Sequence, residues 1–418
     1  MVWFQQQPAT NMNRTILSFI LFSLFLSAEA QQTRVYTDPQ NKFFQAKEFF
    51  QQERYSLAYP IFRELQQDLR ETDISNNRLS TEEINFYTTV CGLKQNEENA
   101  ASQAEAFIGL ERNSALVQKM AFHLGEYYFR NGDIRNAIMY YEQSDIGQLG
   151  NAEIADMKFH QGYGYFSLGQ FDKAKPLLNS IRQMPDNKNY LDANYYYGFI
   201  TYGERRYTDA LDAFRKVENH PEYGKAVPFY IASILYNQGQ KDKALQYAEA
   251  NISKSSALYN AEMNQLLGHA YFENRQFKKA LPYLESGLQG TEKIGREQLY
   301  ELSYCYYDAG QFSKAADGFK QLSTGEDSLT QSAMYLLGDA YLKLGQKPNA
   351  RNAFAFCAAN SSIKSQREVA AFNYGKLSYE LGYQDIALNE LKKFIVEYPQ
   401  SSYNKEAREL MVALLANT

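Results

Sequence analysis

YYDAGQFSKAADGF, residues 306–319, holds the arrangement on which the rest of the chain is built. Ala315 stands nine residues after Tyr306, five after Gly310 and four before Phe319. GYGYFSLGQFDKAKPLL, residues 162–178, repeats that frame around Ala174, with Tyr165, Gly169 and Leu178 at the same offsets. Both stretches read as the end of one amphipathic helix, a glycine and the start of a second. Glycine suits such a junction because the chain can turn there in the left-handed conformation without a side-chain clash.

The frame extends through most of the chain. The reference alanine recurs as Ala58, Ala101, Ala137, Ala174, Ala210, Ala244, Ala280, Ala315, Ala350 and Ala387. The intervals are 43, 36, 37, 36, 34, 36, 35, 35 and 37 residues, the range of helix-pair repeats. Twelve residues earlier a small residue stands in each copy, among them Gly125, Gly162, Gly198, Gly268, Gly338 and Gly375. Five earlier a glycine is common, and four later a large apolar residue. Pro185, Pro221 and Pro399 mark the far ends of second helices. The copy around Asn85–Ile108 fits poorly, with Glu98 and Glu105 at apolar places and a frame that is one residue in doubt. The copy around Ala244 also departs, with Lys241 and Ala248 at bulky places. Each helix carries an apolar stripe that one helix pair cannot cover, and stacked neighbours close it into one continuous core. No low-complexity linker interrupts the array, so one extended domain is expected; the longest irregular stretch is 70–82.

On these residues the chain resembles the tetratricopeptide repeat, a pair of antiparallel helices with small residues at the crossing. The resemblance covers about 40–400 and implies an all-α fold, a right-handed helical-hairpin solenoid of about ten such repeats over 31–400. Residues 401–418 are expected to form a closing helix, with Ala407, Leu410, Met411 and Leu414 on one face and Ser401 or Ser402 near its N-cap.

Outside the repeats, Met12-Asn13-Arg14 precedes the apolar run Ile16–Leu26, and Ala28-Glu29-Ala30 follows it. That pattern predicts a secretory signal peptide over 1–30, with Met12 as the alternative start. The run is shorter than the roughly 20 apolar residues of a membrane span, so the mature form is expected to carry no integral span. The predicted localisation is an exported one, the Gram-negative periplasm, with secretion as the alternative. A net charge of −5 argues against a general affinity for nucleic acid. Cys91, Cys305 and Cys357 are far apart and read as buried small hydrophobes. His123, His160, His220 and His269 have no metal-ligand spacing, and no nucleotide or nucleophile motif has its strand–turn–helix context. No catalytic residue, cofactor or metal is assigned, and the chain is read as a non-enzyme.

Binding is the remaining class. In repeats of this kind the first helix of each pair supplies the inner surface, and two columns there are aromatic. Fifteen residues before the reference alanine lie Phe43, Phe86, Phe122, Phe159, Tyr195, Phe229, Gln265, Tyr300, Tyr335 and Phe372. Eight before it lie Phe50, Leu93, Phe129, Phe166, Tyr202, Tyr236, Phe272, Tyr307, Leu342 and Tyr379. Tyr163, Phe199 and Tyr304 stand between the columns. The candidate partner-binding residues are Phe159, Tyr163, Tyr195, Phe199, Tyr202, Tyr236, Tyr300 and Tyr304, because aromatic rings offer much contact area at small entropy cost. The competing reading packs the same rings between repeats. A clamp for a chaperone C-terminus is not supported, since aromatics occupy the column where its lysine would stand. The expected function is a protein–protein interaction scaffold of the cell envelope holding a protein or peptide; the alternative is a carbohydrate-binding helical-repeat protein.

Overall fold

Apolar residues at three- and four-residue spacing dictate helices, and the computed structural model, which describes residues 38–71 and 79–416, contains 21 α-helices and no strand among them. The predicted signal segment 1–30 and most of the irregular stretch 70–82 lie outside the described residues. The helices fall into two compact units, Met1–Ile200 and Thr201–Thr418. In the first lie α1 (Pro39–Gln51), α2 (Tyr55–Glu71), α3 (Thr81–Gln95), α4 (Ala100–Leu110), α5 (Ser114–Arg130), α6 (Ile134–Gln143), α7 (Asn151–Ser167) and α8 (Phe171–Ile181). The division falls within α9 (Tyr190–Gly203). In the second lie α10 (Tyr207–Val217), α11 (Val227–Asn237), α12 (Lys241–Asn251), α13 (Ala257–Glu273), α14 (Phe277–Leu288), α15 (Arg296–Asp308) and α16 (Phe312–Lys320). They are followed by α17 (Ser328–Lys343), α18 (Lys347–Ala359), α19 (Lys364–Glu380), α20 (Gln384–Glu397) and α21 (Asn404–Ala416). Along the chain this is a succession of ten helix pairs and one further helix. Short polar side chains start several first helices: Asp38, Ser80, Asn113 and Asp327 each accept a backbone N–H of the first turn.

The turn inside each pair is set by backbone geometry. The residue five before the reference alanine has positive φ in all ten copies. Six are glycines, Gly132, Gly169, Gly239, Gly310, Gly345 and Gly382, with φ from 72° to 83°. The other four are Glu53, Asn96, Arg205 and Arg275, with φ from 54° to 59°. The turn therefore demands a left-handed residue even where the sequence offers no glycine. The next N–H then reaches back to the first helix, as in Gln170 N to Tyr165 O at 2.8 Å and Gln311 N to Tyr306 O at 2.8 Å.

The crossing is equally specific. A Cβ built on Gly125, Gly268 or Gly338 would lie 2.7 Å from Tyr141, Leu284 or Phe354, each four residues after its alanine. On Gly375 it would lie 2.9 Å from Leu391, and on Gly162 3.1 Å from Leu178. Nine of the ten reference alanines are at most 2% exposed. The exception corrects the sequence frame: Ala101 is half-buried, and Ala100, one residue earlier, is the buried one at 1%. Its turn carries two left-handed residues, Asn96 and Asn99, which start α4 late and shift its buried face. Glu105 stays exposed and accepts hydrogen bonds from Tyr128 (2.8 Å) and Tyr140 (3.2 Å). Lys241 fills its bulky place by lying 5.3 Å over the Tyr236 ring, and Ala248 is buried. At the chain's end Ala407 and Leu414 of α21 are buried against Leu391, Phe394 and Tyr398, with Leu410 and Met411 partly covered.

Gly287 was not singled out by the repeat pattern, yet a Cβ there would lie 2.8 Å from the backbone N of Gln265. Gly109, also helical, has nothing within 4 Å. Gly338→Leu and Gly287→Ala are expected to cost about 1–3 kcal/mol by overpacking, whereas Gly109→Ala should gain roughly 0.5–1 kcal/mol from helix propensity. Thermal unfolding followed by circular dichroism checks the opposite signs; equal melting of all three variants would refute the assigned crossing.

Candidate binding faces of the two units

The first helices carry the aromatic columns, and each column has a definite packing partner. In the first unit the column fifteen before the alanine is core: Phe43, Phe86, Phe122 and Phe159 are all buried. Phe159, a candidate binding residue, is 8% exposed and presents little ring to a partner. Tyr195, in the same column on α9, is half-buried, 4.8 Å from the Phe199 ring and 5.3 Å from that of Tyr196. In the second unit the column loosens, with Phe229, Tyr300 and Tyr335 half-buried and Phe372 buried. Tyr300 lies 5.9 Å from Phe319 and 6.2 Å from Tyr304, and burial pushes its hydroxyl up to about 12.

The column eight before the alanine bridges turns and neighbours. Its ring meets the first residue of the following second helix in Phe50–Tyr55 (5.4 Å), Phe166–Phe171 (5.6 Å), Tyr202–Tyr207 (6.0 Å), Phe272–Phe277 (5.3 Å) and Tyr307–Phe312 (5.6 Å). It also meets the next first helix, as in Phe50–Tyr87 (4.9 Å), Phe166–Tyr196 (5.0 Å), Tyr202–Tyr230 (5.1 Å) and Phe272–Tyr304 (5.6 Å). Tyr304 is therefore wedged among Phe272, Phe277, Tyr300 and Tyr307. Tyr236 differs: its ring lies 6.0 Å from His269, its hydroxyl donates to Glu273, and burial with that carboxylate holds its ionisation well above the usual tyrosine range. The competing packing reading thus describes much of both columns, while Tyr195, Tyr202, Tyr236 and Tyr300 keep part of their surface.

A second register escaped the sequence reading. The residue eleven before one alanine meets the residue fourteen before the next. The contacts are Lys47 over Tyr87 (5.6 Å), Glu126 with His160 (2.7 Å), Tyr163 with Tyr196 (5.0 Å) and His269 with Glu301 (2.7 Å). Lys376, at the same place in the last pair, reaches Glu406 of α21 at 2.6 Å. Tyr163 also packs edge-on to Phe129 at 5.8 Å, so it belongs to this seam. The recurrence of His123 and His160 at one repeat position was the available signal. Glu126 accepts the Tyr141 hydroxyl at 2.6 Å as well. Burial opposes its charge, yet the contacts from the His160 ring and the Tyr141 hydroxyl hold its carboxyl below the usual range.

A third register ties second helices to the next first helix. The tyrosine nine before the alanine donates to a glutamate of the preceding second helix: Tyr128 to Glu105, Tyr165 to Glu142, Tyr271 to Glu249 and Tyr306 to Glu285. Lys173, Lys279 and Lys314 lie 5.0, 5.5 and 5.0 Å over the rings of Tyr165, Tyr271 and Tyr306. An open cleft of about 790 Å³ beside this ladder in the second unit is lined by Glu249, Asn264, Tyr271, Lys279 and Tyr283.

The three cysteines and His123 are sealed. Cys91, Cys305 and Cys357 are buried free thiols, each pushed up to about 12 by burial. His123 is buried, and desolvation pushes its imidazole down to about 3, so it stays neutral. Among the described residues no group of three His, Cys, Asp or Glu is placed to hold a metal, and no helix is long and apolar enough to cross a membrane.

Tetratricopeptide-repeat family models match residues 300–362, and 119–145 with 261–289. No curated protein matches the chain. Among solved structures it is similar to a tetratricopeptide repeat protein from Parabacteroides merdae, at 17% identity over 63% of this chain and 99% of that one, TM-score 0.35. A second is the C-terminal part of a TPR repeat-containing protein from Cytophaga hutchinsonii, at 15% identity, 60% and 98% coverage and TM-score 0.40. A third is YrrB, described as a TPR protein with an unusual peptide-binding site, at 19% identity, 48% and 100% coverage and TM-score 0.38. By these matches the chain carries tetratricopeptide repeats within 119–145, 261–289 and 300–362, and the same crossings and left-handed turns recur through its other helix pairs.

Proposed function

We propose that this protein is a non-enzymatic scaffold of the cell envelope that binds a partner protein or peptide on the aromatic face of its first helices. Family membership supports the scaffold reading, since repeats of this kind hold proteins or peptides. One observation carries the choice of face. In the first unit the column is sealed phenylalanine from Phe43 to Phe159 and half-buried tyrosine at Tyr195; in the second unit Tyr300 of that column is half-buried, as are Tyr202 and Tyr236 of the neighbouring one. A half-buried tyrosine offers an apolar ring and a hydroxyl at the wet edge, the combination favoured at interfaces. The envelope location rests on the sequence alone, through the apolar run Ile16–Leu26 and the site Ala28-Glu29-Ala30.

Separate measurements of melting and of partner capture from envelope extracts, for Tyr195→Ala, Tyr202→Ala, Tyr236→Ala and Tyr300→Ala, test the face. A residue at the centre of the interface should lose about 2 kcal/mol or more of binding while the variant melts normally. A residue that only packs should cost about 3–5 kcal/mol of stability and leave capture by the folded fraction intact. Normal melting and normal capture in all four would place the binding surface elsewhere. Capture of glycan in place of protein would favour the carbohydrate reading.

Processing gives an independent check on location. Exported protein should begin at Gln31 and stay soluble without detergent; N-terminal sequencing that still reads residues 13–26 would refute the signal peptide.

A further inference from the structure

Glu301 of α15 is 8% exposed, and its surroundings are short of donors. Its Oε1 takes the Nδ1 of His269 on α13 at 2.7 Å, while its Oε2 is buried with no hydrogen-bond partner. Glu273, one turn after His269 on α13, places Oε1 3.8 Å from the ring's Nε2. Lys241 and Tyr236, from the preceding pair, both bind Glu273 Oε2, the lysine at 2.7 Å. The groups facing His269 are thus Glu301 from the following pair, Glu273 on its own helix, and Lys241 and Tyr236 from the preceding one. The lysine is engaged by Glu273, so His269, when protonated, is the cation directly on Glu301.

We propose that the His269–Glu301 contact is a pH-sensitive latch between the seventh and eighth helix pairs, closed while His269 carries its proton and loosened when it loses it. A charge in a low-dielectric site is costly unless a counter-charge and enough hydrogen bonds accompany it. The protonated ring bridges two carboxylates on the first helices of successive pairs. Without the proton, Glu301 and Glu273 face a neutral ring from either side. The sign follows from linkage. The hydrogen bond from His269 to Glu301 leads the causes that raise the imidazole's pKa in the fold, with burial opposing it. The contact's stabilisation is therefore complete below about pH 6.5, the ordinary histidine value, and is lost as pH rises through the folded value. The analogous seam in the first unit lacks this weakness, because Glu126 also takes the Tyr141 hydroxyl, which keeps its proton throughout that range.

Of the latched helices, α15 carries Tyr300 and Tyr304, and Tyr236 of α11 donates to Glu273 beside the latch. On the proposed function, from which this consequence follows, capture at that face should be stronger in mild acid than in mild alkali.

Histidine-selective NMR titration and amide hydrogen exchange on the full chain test the latch without any partner. His269 should titrate above about 6.5 in the wild type and fall toward or below that value in Glu301→Gln. Protection of Arg296–Asp308, corrected for the intrinsic exchange rate, should drop roughly threefold or more between about pH 6 and about pH 8. In His269→Gln the drop should vanish; that side chain is 44% exposed, so the fold should tolerate the change even if Glu301→Gln does not fold. The same pH dependence in wild type and His269→Gln would overturn the latch. A second arm uses a peptide selected from a random display library at about pH 6, with capture required to fall in Tyr300→Ala. Equal capture of it at both pH values overturns the link to binding. A selection that yields no such peptide counts against the aromatic face, while the exchange result still decides the latch.

Discussion

Close approach of two helix backbones at one small residue per repeat is the constraint from which the remaining architecture follows. With a Cβ on Gly268 or Gly338 only 2.7 Å from Leu284 or Phe354, the second helix can sit where it does only if the first has no side chain there. That approach fixes which residues of the second helix face inward, beginning with the reference alanine and the large residue four later. It also fixes the turn, because a short connection between helices so close must pass through a left-handed residue. Glu53, Asn96, Arg205 and Arg275 adopt that conformation without being glycine, so the crossing is strong enough to impose it.

Once the crossing is set, each pair has two apolar flanks, and the aromatic residues close them. A ring at the turn, such as Phe166, touches both its own second helix through Phe171 and the next first helix through Tyr196. One side chain thereby joins three helices. This explains how each unit takes up so many aromatic rings: among the described residues they pack along the seams between helices. Stability in such an arrangement is local, so a loss at one seam acts first on its two neighbours.

The all-helical fold, the crossing glycines, six of the left-handed turns and the buried cysteines were legible from spacing, because each is a repeated demand on residue type. The second copy was misframed by one residue because its turn carries an additional left-handed residue, Asn99, and backbone conformation of that sort leaves only a weak trace in composition. The aromatic columns were found, but their division into packing and exposed rings was not. Phe159 and Tyr195 share a repeat position and differ in what the neighbouring helix places over them, which one helix's periodicity does not encode. The cross-pair contacts were missed for a related reason: Glu126 pairs with His160, and His269 with Glu301, at the same two positions with acid and base exchanged. A search for a recurring residue type passes over a recurring contact whose partners swap.

That exchange points to how the chain manages its charge. Acidic residues outnumber basic ones, 48 to 43, yet many carboxylates are tied to tyrosine hydroxyls rather than left as an acidic surface. Tyr141, Tyr165 and Tyr271 are buried, and each donates to a glutamate: Glu126, Glu142 and Glu249. Phe43, Phe62, Phe214, Phe319 and Phe394 are buried in apolar surroundings. The choice between the two rings follows whether an acceptor stands within reach, because a buried hydroxyl without one costs about 1–3 kcal/mol. Tyrosine is thus placed where a seam must be apolar on one side and hold a carboxylate on the other. A tyrosine that is half-buried and has neither a sealing neighbour over its ring nor a carboxylate for its hydroxyl is the one whose residue type packing alone does not explain.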